Sequence, residues 1–378
     1  VETMKSPSLH IHTTSILRGV PTLIIVSIII IMSNINSAAR LRQFQKLLAQ
    51  RKLDGYVVSR PVDQGFLTGY HMEGYLLLVG LKKAWAFVPD MFVDQCREVS
   101  SSCNVIGAAD QRGSLLAVLK AEGMKKVAFD SEAESYSSGE SWKKRGLIAE
   151  IPFAPILRET KDDGEAAVLA KSCKIAITAY KKLLPEIKPG MTENQIRARL
   201  EYLMSILGAQ GPSFNIIVGS GSNSAKPHHI TSERKLRNNE ALLIDFGCKY
   251  GNYCSDITRT IFVGKPTEEF RKVYGIVDRA QKAGVKAVCA GVGCFDVDKV
   301  CRDIITEAGY GDKFTHTTGH GLGLEIHEFP RLSTKSDVIL KEGMAVTVEP
   351  GIYLYGKFGV RIEDSVLVTK TGCKILTR

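Results

Sequence analysis

The chain has 378 residues, 44% of them apolar and 24% charged. That balance excludes global disorder, and the length suits two domains. The formal net charge is +10, but Lys and Arg are spread beside Asp and Glu and no nucleic-acid motif accompanies them, so no nucleic-acid partner is expected.

Leu23–Met32 reads LIIVSIIIIM, apolar apart from Ser27. Lys5 and Arg18 precede it, and Ser37-Ala38-Ala39 resembles a small-residue cleavage site, as in a signal peptide. The run falls short of the about 20 residues a membrane-spanning helix needs, so no stable membrane insertion is expected. We read residues 1–33 as a leader. Met32 is the favoured start, with residues 1–31 as translated upstream sequence; a signal peptide ranks next and a membrane anchor last. The reason is an amphipathic helix that begins within a few residues of Met32, with Leu41, Phe44, Leu47 and Leu48 on one face. Cleavage after Ala39 would cut into it.

Residues 34–156 read as one α/β unit. The first helix ends near Asp54-Gly55. Apolar runs follow at Tyr56–Ser59, Tyr75–Val79 and Ala84–Val88, then a helical pattern (Leu115–Glu122) and a strand-like run to Asp130. Such alternation suggests a sheet covered by helices. Residues 157–164 (LRETKDDG) are polar and end in Gly, as a linker would. Residues 165–378 form the second unit. It opens with a long helix, Glu165–Leu184, which Pro185, Pro189 and Gly190 terminate. Thr192 and Gln195 form a capping box for a helix whose stripe is Ile196, Leu200, Leu203 and Leu207. Gly219-Ser-Gly221 follows a strand-like run but opens no helix, which excludes a nucleotide-binding turn. Further helices are expected near 268–289 and 296–308, the last with Val297, Val300, Ile304 and Ala308 on one face. Short strands and Gly turns fill the C-terminal third.

The nine cysteines are an odd number at irregular spacing, without a C-x-x-C pair. They argue against a disulfide framework or a cysteine zinc site, and for reduced thiols in the cytoplasm, with export the minor alternative.

The chemistry concentrates in two hairpins. Ala241–Gly247 and Tyr253–Val263, folded about the Tyr250-Gly251 step, set Asp245 directly opposite Asp256, with Cβ atoms about 4.5–5.5 Å apart. Val346–Tyr353 and Gly359–Val366, folded about Gly356, set Glu349 opposite Glu363, with Pro350 demanding an edge or a bulge. Paired carboxylates among apolar strands persist only if protonated or bridged by a cation. Four carboxylates balance two divalent cations, the arrangement of a two-metal site that activates water. Oxygen-rich ligation favours Mn²⁺, with Co²⁺ or Zn²⁺ possible. His320, between Gly319 and Gly321, is the best neutral ligand. Of the eight histidines, five fall in two short stretches, His228-His229 and His316–His327. Singly, such an Asp is usually a turn former and such a His structural. The joint pattern would need four unrelated carboxylates placed face to face by chance.

Five stretches resemble the pita-bread metallopeptidases, the group of Xaa-Pro aminopeptidase, prolidase, methionine aminopeptidase and creatinase. They are GPSFNIIVGSG (211–221), PHH (227–229), LLIDFGCKYGNYCSDITRT (242–260), HTTGHGLGLEIHEFP (316–330) and VEPGIYLYGKFGVRIEDSVLVT (348–369). The resemblance implies an α+β architecture: a creatinase-like α/β N-terminal domain, then a pita-bread domain with a curved antiparallel sheet flanked by helices. It implies that Asp245, Asp256, His320, Glu349 and Glu363 hold two metals, with Asp256 and Glu363 bridging them. Glu349 would also shuttle a proton, while His228 and His327 steady the carbonyl oxygen. His316 would support the site, and Arg361 would orient the carboxylates. Asp63–Tyr70 resembles a recurrent segment of the N-terminal domain, which in Xaa-Pro peptidases helps to form a homodimer. The implied substrates are short peptides with proline second, or Xaa-Pro dipeptides, where Arg331 would bind the terminal carboxylate. The alternatives are an inactive pita-bread binding module and a creatinase-like hydrolase of a non-peptide C–N bond.

Overall fold

The computed structural model describes residues 36–378; the leader read in residues 1–33 lies outside them. Helix α1 (Ser37–Gln50) begins where the Asn36 side chain accepts from the Ala39 amide. It buries Leu41, Phe44 and Leu48, with Leu47 at the margin. In order follow β1 (Gly55–Val58), α2 (Pro61–Thr68), β2 (Leu76–Gly80), β3 (Ala84–Val88), α3 (Val93–Val99), β4 (Asn104–Gly107), α4 (Gln111–Ala121), β5 (Val127–Asp130), α5 (Tyr136–Lys144) and β6 (Ile148–Glu150). The six strands form one mixed sheet in the order β4-β3-β2-β1-β5-β6. Strands β1 and β3 are buried throughout because helices cover both faces. Tyr56, Val58, Leu77 and Val79 share a cluster with Phe44 and Leu48, whereas Val57, Leu78 and Phe87 pack with Leu115 and Trp142. Strands β4 and β6, which the sequence does not announce, are short and largely exposed.

The segment expected to be a polar linker is structured and partly buried. Helix α6 (Ala154–Arg158) ends inside it, and α7 (Asp163–Leu183) begins inside it. Asp162 caps α7 and forms a reciprocal capping box with Glu165, so the helix starts earlier than Glu165. Arg158 reaches Asp63 Oδ1 at 2.6 Å, Glu325 Oε2 at 2.6 Å and Glu328 Oε1 at 2.5 Å. Lys161 reaches Glu328 Oε2 at 2.7 Å. A charge run resembles a solvated tether only until its partners, distant in sequence, are in view.

Helix α8 (Glu193–Ile206) carries the expected Thr192–Gln195 capping box. Next come β7 (Gly211–Pro212), β8 (Ile217–Ser220), β9 (Glu240–Phe246), β10 (Cys248–Tyr250), β11 (Tyr253–Cys254) and β12 (Ile257–Val263). Strand β9 lies between β8 and β12. The hairpin register differs from the expected one: Asp245 pairs with Thr258, not Asp256. The cause is the turn. Tyr250 pairs with Tyr253, leaving Gly251 and Asn252 at φ +54° and +67° as the two-residue loop. Positive φ at both positions is the requirement of a type I′ turn.

Helices α9 (Glu268–Ala287) and α10 (Cys294–Glu307) pack on each other. The buried line of α10 is Val297, Cys301 and Ile305; Ile304 and Ala308 pack at its margin and Val300 is only half-buried, so the stripe is rotated from the expected one. A five-stranded sheet follows in the order β14-β13-β15-β18-β19. Its strands are β13 (Gly319–Gly321), β14 (Glu328–Leu332), β15 (Ala345–Val348), β18 (Asp364–Thr369) and β19 (Gly372–Ile375), and the hairpin β16 (Gly351–Leu354) and β17 (Phe358–Arg361) extends from it. One register runs through β15–β18 and β16–β17, but the ladder opens between Val348↔Asp364 and Gly351↔Arg361. Pro350, which has no N–H to give, sits at that opening. There the Glu349 amide donates to Thr318 O and the Glu363 amide to Thr258 O, tying the corner to the neighbouring strands.

Candidate metal centre

Every acidic residue singled out in the sequence sits at the end of a strand or at a break in one. Asp245 is near the end of β9, Asp256 just before β12, and Glu349 and Glu363 in the opening of the C-terminal ladder. Asp256 lies diagonal to Asp245 on the same face, because the register slips by two and side chains alternate by two. One oxygen from each of Asp245, Asp256 and Glu363 falls within 4.8 Å of the others. His320 Nε2 joins them at 3.5 Å from Asp256 Oδ2 and 3.4 Å from Glu349 Oε1.

Among the described residues Arg361 pairs with Asp245 alone, so one cation faces four carboxylates. Burial, then the neighbouring carboxylates, push the Asp256 and Glu363 carboxyls well above their usual range, and burial raises Glu349 as well. Asp245 Oδ1 and Glu363 Oε1 are buried without a hydrogen-bond partner among the described residues. Orphaned anionic acceptors converging on one point fit a cation. His320 fits too. Its Nδ1 lies 3.0 Å from Gly321 O and must donate to it, which leaves the Nε2 lone pair facing the carboxylates.

A second layer of bonds orients the acids. Arg361 Nη2 donates to Asp245 Oδ2 at 2.6 Å, and its Nε donates to Thr258 Oγ1 at 3.0 Å. The Thr258 hydroxyl in turn donates to Glu363 Oε2 at 2.7 Å. Thr347 Oγ1 accepts from the His320 amide and donates to Glu349 Oε1. The two threonines and Tyr353 escaped the sequence reading. Thr258 could have been found there, since it stands two residues after Asp256 and so shares its face.

His316 lies behind the cluster. Its Nδ1 donates to Thr317 O, and Nε2 accepts from Tyr353 OH at 2.8 Å, which in turn accepts from Arg361 Nη1 at 2.7 Å. Burial, with Arg361 nearby, lowers its pKa to about 4. His327 stands edge-on against His320, ring centroids 4.4 Å apart, and burial lowers it to about 4 also. His228 is exposed at the cleft wall, and its neighbour His229, which lines the same cleft, is held by a hydrogen bond to Glu193. Arg331, cross-strand from His320, is exposed and has no side-chain partner among the described residues. The four carboxylates, His228, His316, His320, His327, Arg331 and Arg361 line one cleft of about 770 Å³, large enough for a short peptide.

Residues 40–159 match the creatinase/prolidase N-terminal domain, and residues 167–370 match metallopeptidase family M24. The Xaa-Pro dipeptidase of Pyrococcus furiosus is 37% identical over 90% of this chain and 97% of its own length. Among solved structures, an Xaa-Pro dipeptidase from Bacillus anthracis superposes with a TM-score of 0.87 at 36% identity, covering 91% of this chain and 97% of that one. An X-Pro aminopeptidase from Thermotoga maritima gives 0.82 at 34%, covering 86% and 96%. With its acidic cluster, its cleft and these likenesses over nearly all its described length, the chain belongs to metallopeptidase family M24, with a creatinase/prolidase N-terminal domain ahead of the pita-bread unit.

Proposed function

We propose that this protein hydrolyses the peptide bond before proline in short peptides, with two divalent ions held by Asp245, Asp256, His320, Glu349 and Glu363. The observation that carries the reading is the pair of orphaned oxygens, Asp245 Oδ1 and Glu363 Oε1, inside a cluster of carboxylates that repel one another. Bound divalent ions supply positive charge that acidifies water and polarises a carbonyl. The protein's own groups do the rest. Glu349 Oε1 accepts from Thr347 and Oε2 has no hydrogen bond among the described residues, so Oε2 can take a proton from water and deliver it to the leaving proline nitrogen. His228 and His327 stand on the cleft wall to donate to the carbonyl oxygen as it gains charge. Arg361 fixes Asp245, and His316 fixes Arg361 through Tyr353.

The dipeptidase names of several relatives and the unpartnered Arg331 support Xaa-Pro dipeptides as substrates. The intact ligand set disfavours an inactive binding module. Four carboxylates and one imidazole suit Mn²⁺ above softer ions. Nine free cysteines support a reducing compartment. The test is titration of chelator-stripped protein with Mn²⁺, Co²⁺ and Zn²⁺ against Xaa-Pro and Xaa-Pro-Yaa peptides. Turnover is expected to return with Mn²⁺, and no turnover with any of the three would overturn the reading.

A further inference from the structure

An acidic residue in the first turn of a helix ordinarily faces solvent and complements the helix dipole. Glu193, the first residue of α8, is fully buried instead. Its Oε1 accepts from the Ser220 amide at 2.8 Å, Ser220 Oγ at 2.7 Å and Asn223 Nδ2 at 3.0 Å. Its Oε2 accepts from His229 Nε2 at 2.8 Å, the Ser232 amide at 3.1 Å and Ser232 Oγ at 2.6 Å. All of these donors belong to residues 220–232. That segment leaves β8, carries His228 along the cleft wall and returns to α8, where the Glu193 and Asn194 amides donate to the carbonyls of Arg234 and Ser232. One carboxylate thus ties both ends of the loop. Burial alone would lift its pKa, but the bonds from Ser232, Asn223, His229 and Ser220 outweigh it and bring it to about 2. His228 is exposed and makes no side-chain hydrogen bond among the described residues, so its placement comes from the backbone around Pro227 and His229.

We propose that Glu193 is a positioning residue for peptide hydrolysis, holding the 220–232 segment so that His228 meets the substrate carbonyl. The proposal rests on the role given to His228 above. A buried carboxylate with donors on every side has one loop arrangement that satisfies them all. Without it the loop relaxes, and a shift of about an ångström at a reacting group costs on the order of a hundredfold in rate.

The experiment compares wild type, Glu193→Gln, Glu193→Asp, His228→Ala and the double variant Glu193→Gln/His228→Ala as metal-loaded enzymes. Measured are kcat and KM on an Xaa-Pro dipeptide, bound metal and Tm. Glu193→Gln is expected to lose on the order of a hundredfold in kcat/KM, mainly in kcat, with metal content unchanged. Glu193→Asp is expected to recover part of the loss. In the His228→Ala background the Glu193→Gln change is expected to add little. Thr192→Ala removes the cap of the same helix and serves as the control for destabilisation alone: lower Tm, kcat/KM intact. A wild-type kcat/KM in Glu193→Gln, or an equal loss in both backgrounds, overturns the proposal. An inert His228→Ala overturns the role of His228 itself, and is told apart because Glu193 is untouched in that variant. Should Glu193→Gln fail to fold, Ser232→Ala removes one donor and is expected to give a smaller loss in the same direction; no loss there overturns the proposal as well.

Discussion

The Arg361 guanidinium donates to Oδ2 of Asp245 at 2.6 Å, while Oδ1 of the same carboxylate is buried without a partner. One oxygen is clamped and the other is aimed into the acidic cluster. Arg361→Lys keeps the charge and loses the fork that reaches Asp245, Thr258 and Tyr353 together. Metal affinity or kcat is expected to fall by roughly 10- to 100-fold, the usual cost of losing a group that orients a ligand. Calorimetric metal titration beside steady-state kinetics checks this. Unchanged affinity and kcat would remove Arg361 from the site.

Metal removal should act on stability as well as on activity. Asp256 and Glu363 are buried against their neighbours' charges, so a cation that binds only the folded protein stabilises it, by about 2.7 kcal/mol at a hundredfold excess over Kd. Chelation is expected to lower Tm, and Mn²⁺ to restore it. Asp256→Asn is expected to leave the metal-free Tm unchanged or raise it, and to shrink the metal-induced rise. A metal-free Tm several degrees below wild type would mean that the Asp256 charge is not a liability of the empty cluster.

The paired acids are legible in the sequence because strand periodicity tolerates a slip of two residues. The expected hairpin was off by two residues, not one, so Asp245 and Asp256 stayed on one face although Thr258 is the direct partner of Asp245. Pro350 marked the opening of the C-terminal ladder in the same way, because a missing N–H is visible in sequence. Glu193 was not legible. An acid in the first turn of a helix is ordinary, and its donors lie 27 to 39 residues further on. Nor were the partners of Arg158, which lie 95 to 170 residues away.

That hidden cluster predicts a large effect from a residue outside the cleft's acidic centre. Arg158 is 3% exposed and bonds Asp63 and Glu328, which are 1% and 5% exposed. Arg158→Met leaves Asp63 buried without its main counter-charge and Glu328 with Lys161 alone, a loss of about 3–5 kcal/mol. Denaturant unfolding is the measurement. Glu328 begins the strand that carries Arg331 and directly follows His327, so KM is expected to rise too. A change below about 1 kcal/mol would place the cluster with ordinary surface pairs.

Arg331 bears on substrate length. It is exposed beside the cleft with no side-chain partner among the described residues, free to meet a carboxylate. In an Xaa-Pro dipeptide that carboxylate belongs to the proline; in a tripeptide it lies a residue further on. Arg331→Ala is expected to raise KM for Xaa-Pro roughly tenfold or more, the scale of one charge-assisted hydrogen bond, and to leave Xaa-Pro-Yaa little changed. Equal effects on both peptides would exclude recognition of the dipeptide terminus.

Acid should destabilise the fold through histidines held neutral. Burial lowers His71 and His316 from 6.5 to about 4. Between those values the unfolded chain binds protons that the folded chain refuses, so the stabilisation is complete above about pH 6.5 and is lost as pH falls towards 4. Each group contributes at most about 1.4 kcal/mol per pH unit. Glu193 acts in another window: its carboxyl is depressed from 4.5 to about 2, so its contribution persists to about pH 4.5 and fades only below that. His316 isolates the effect, because protonating Nε2 breaks the bond it accepts from Tyr353 and sets a second positive charge near Arg361. His316→Gln removes that titration. At pH 7 the variant is expected to be less stable than wild type, having lost the imidazole's bonds. By pH 4 the gap should have narrowed, since wild type alone meets the penalty of charging His316. Urea unfolding of both proteins at matched metal concentration, from pH 7 to pH 4, reads the gap directly. A gap that stays constant would show that His316 does not titrate differently in the folded and unfolded states.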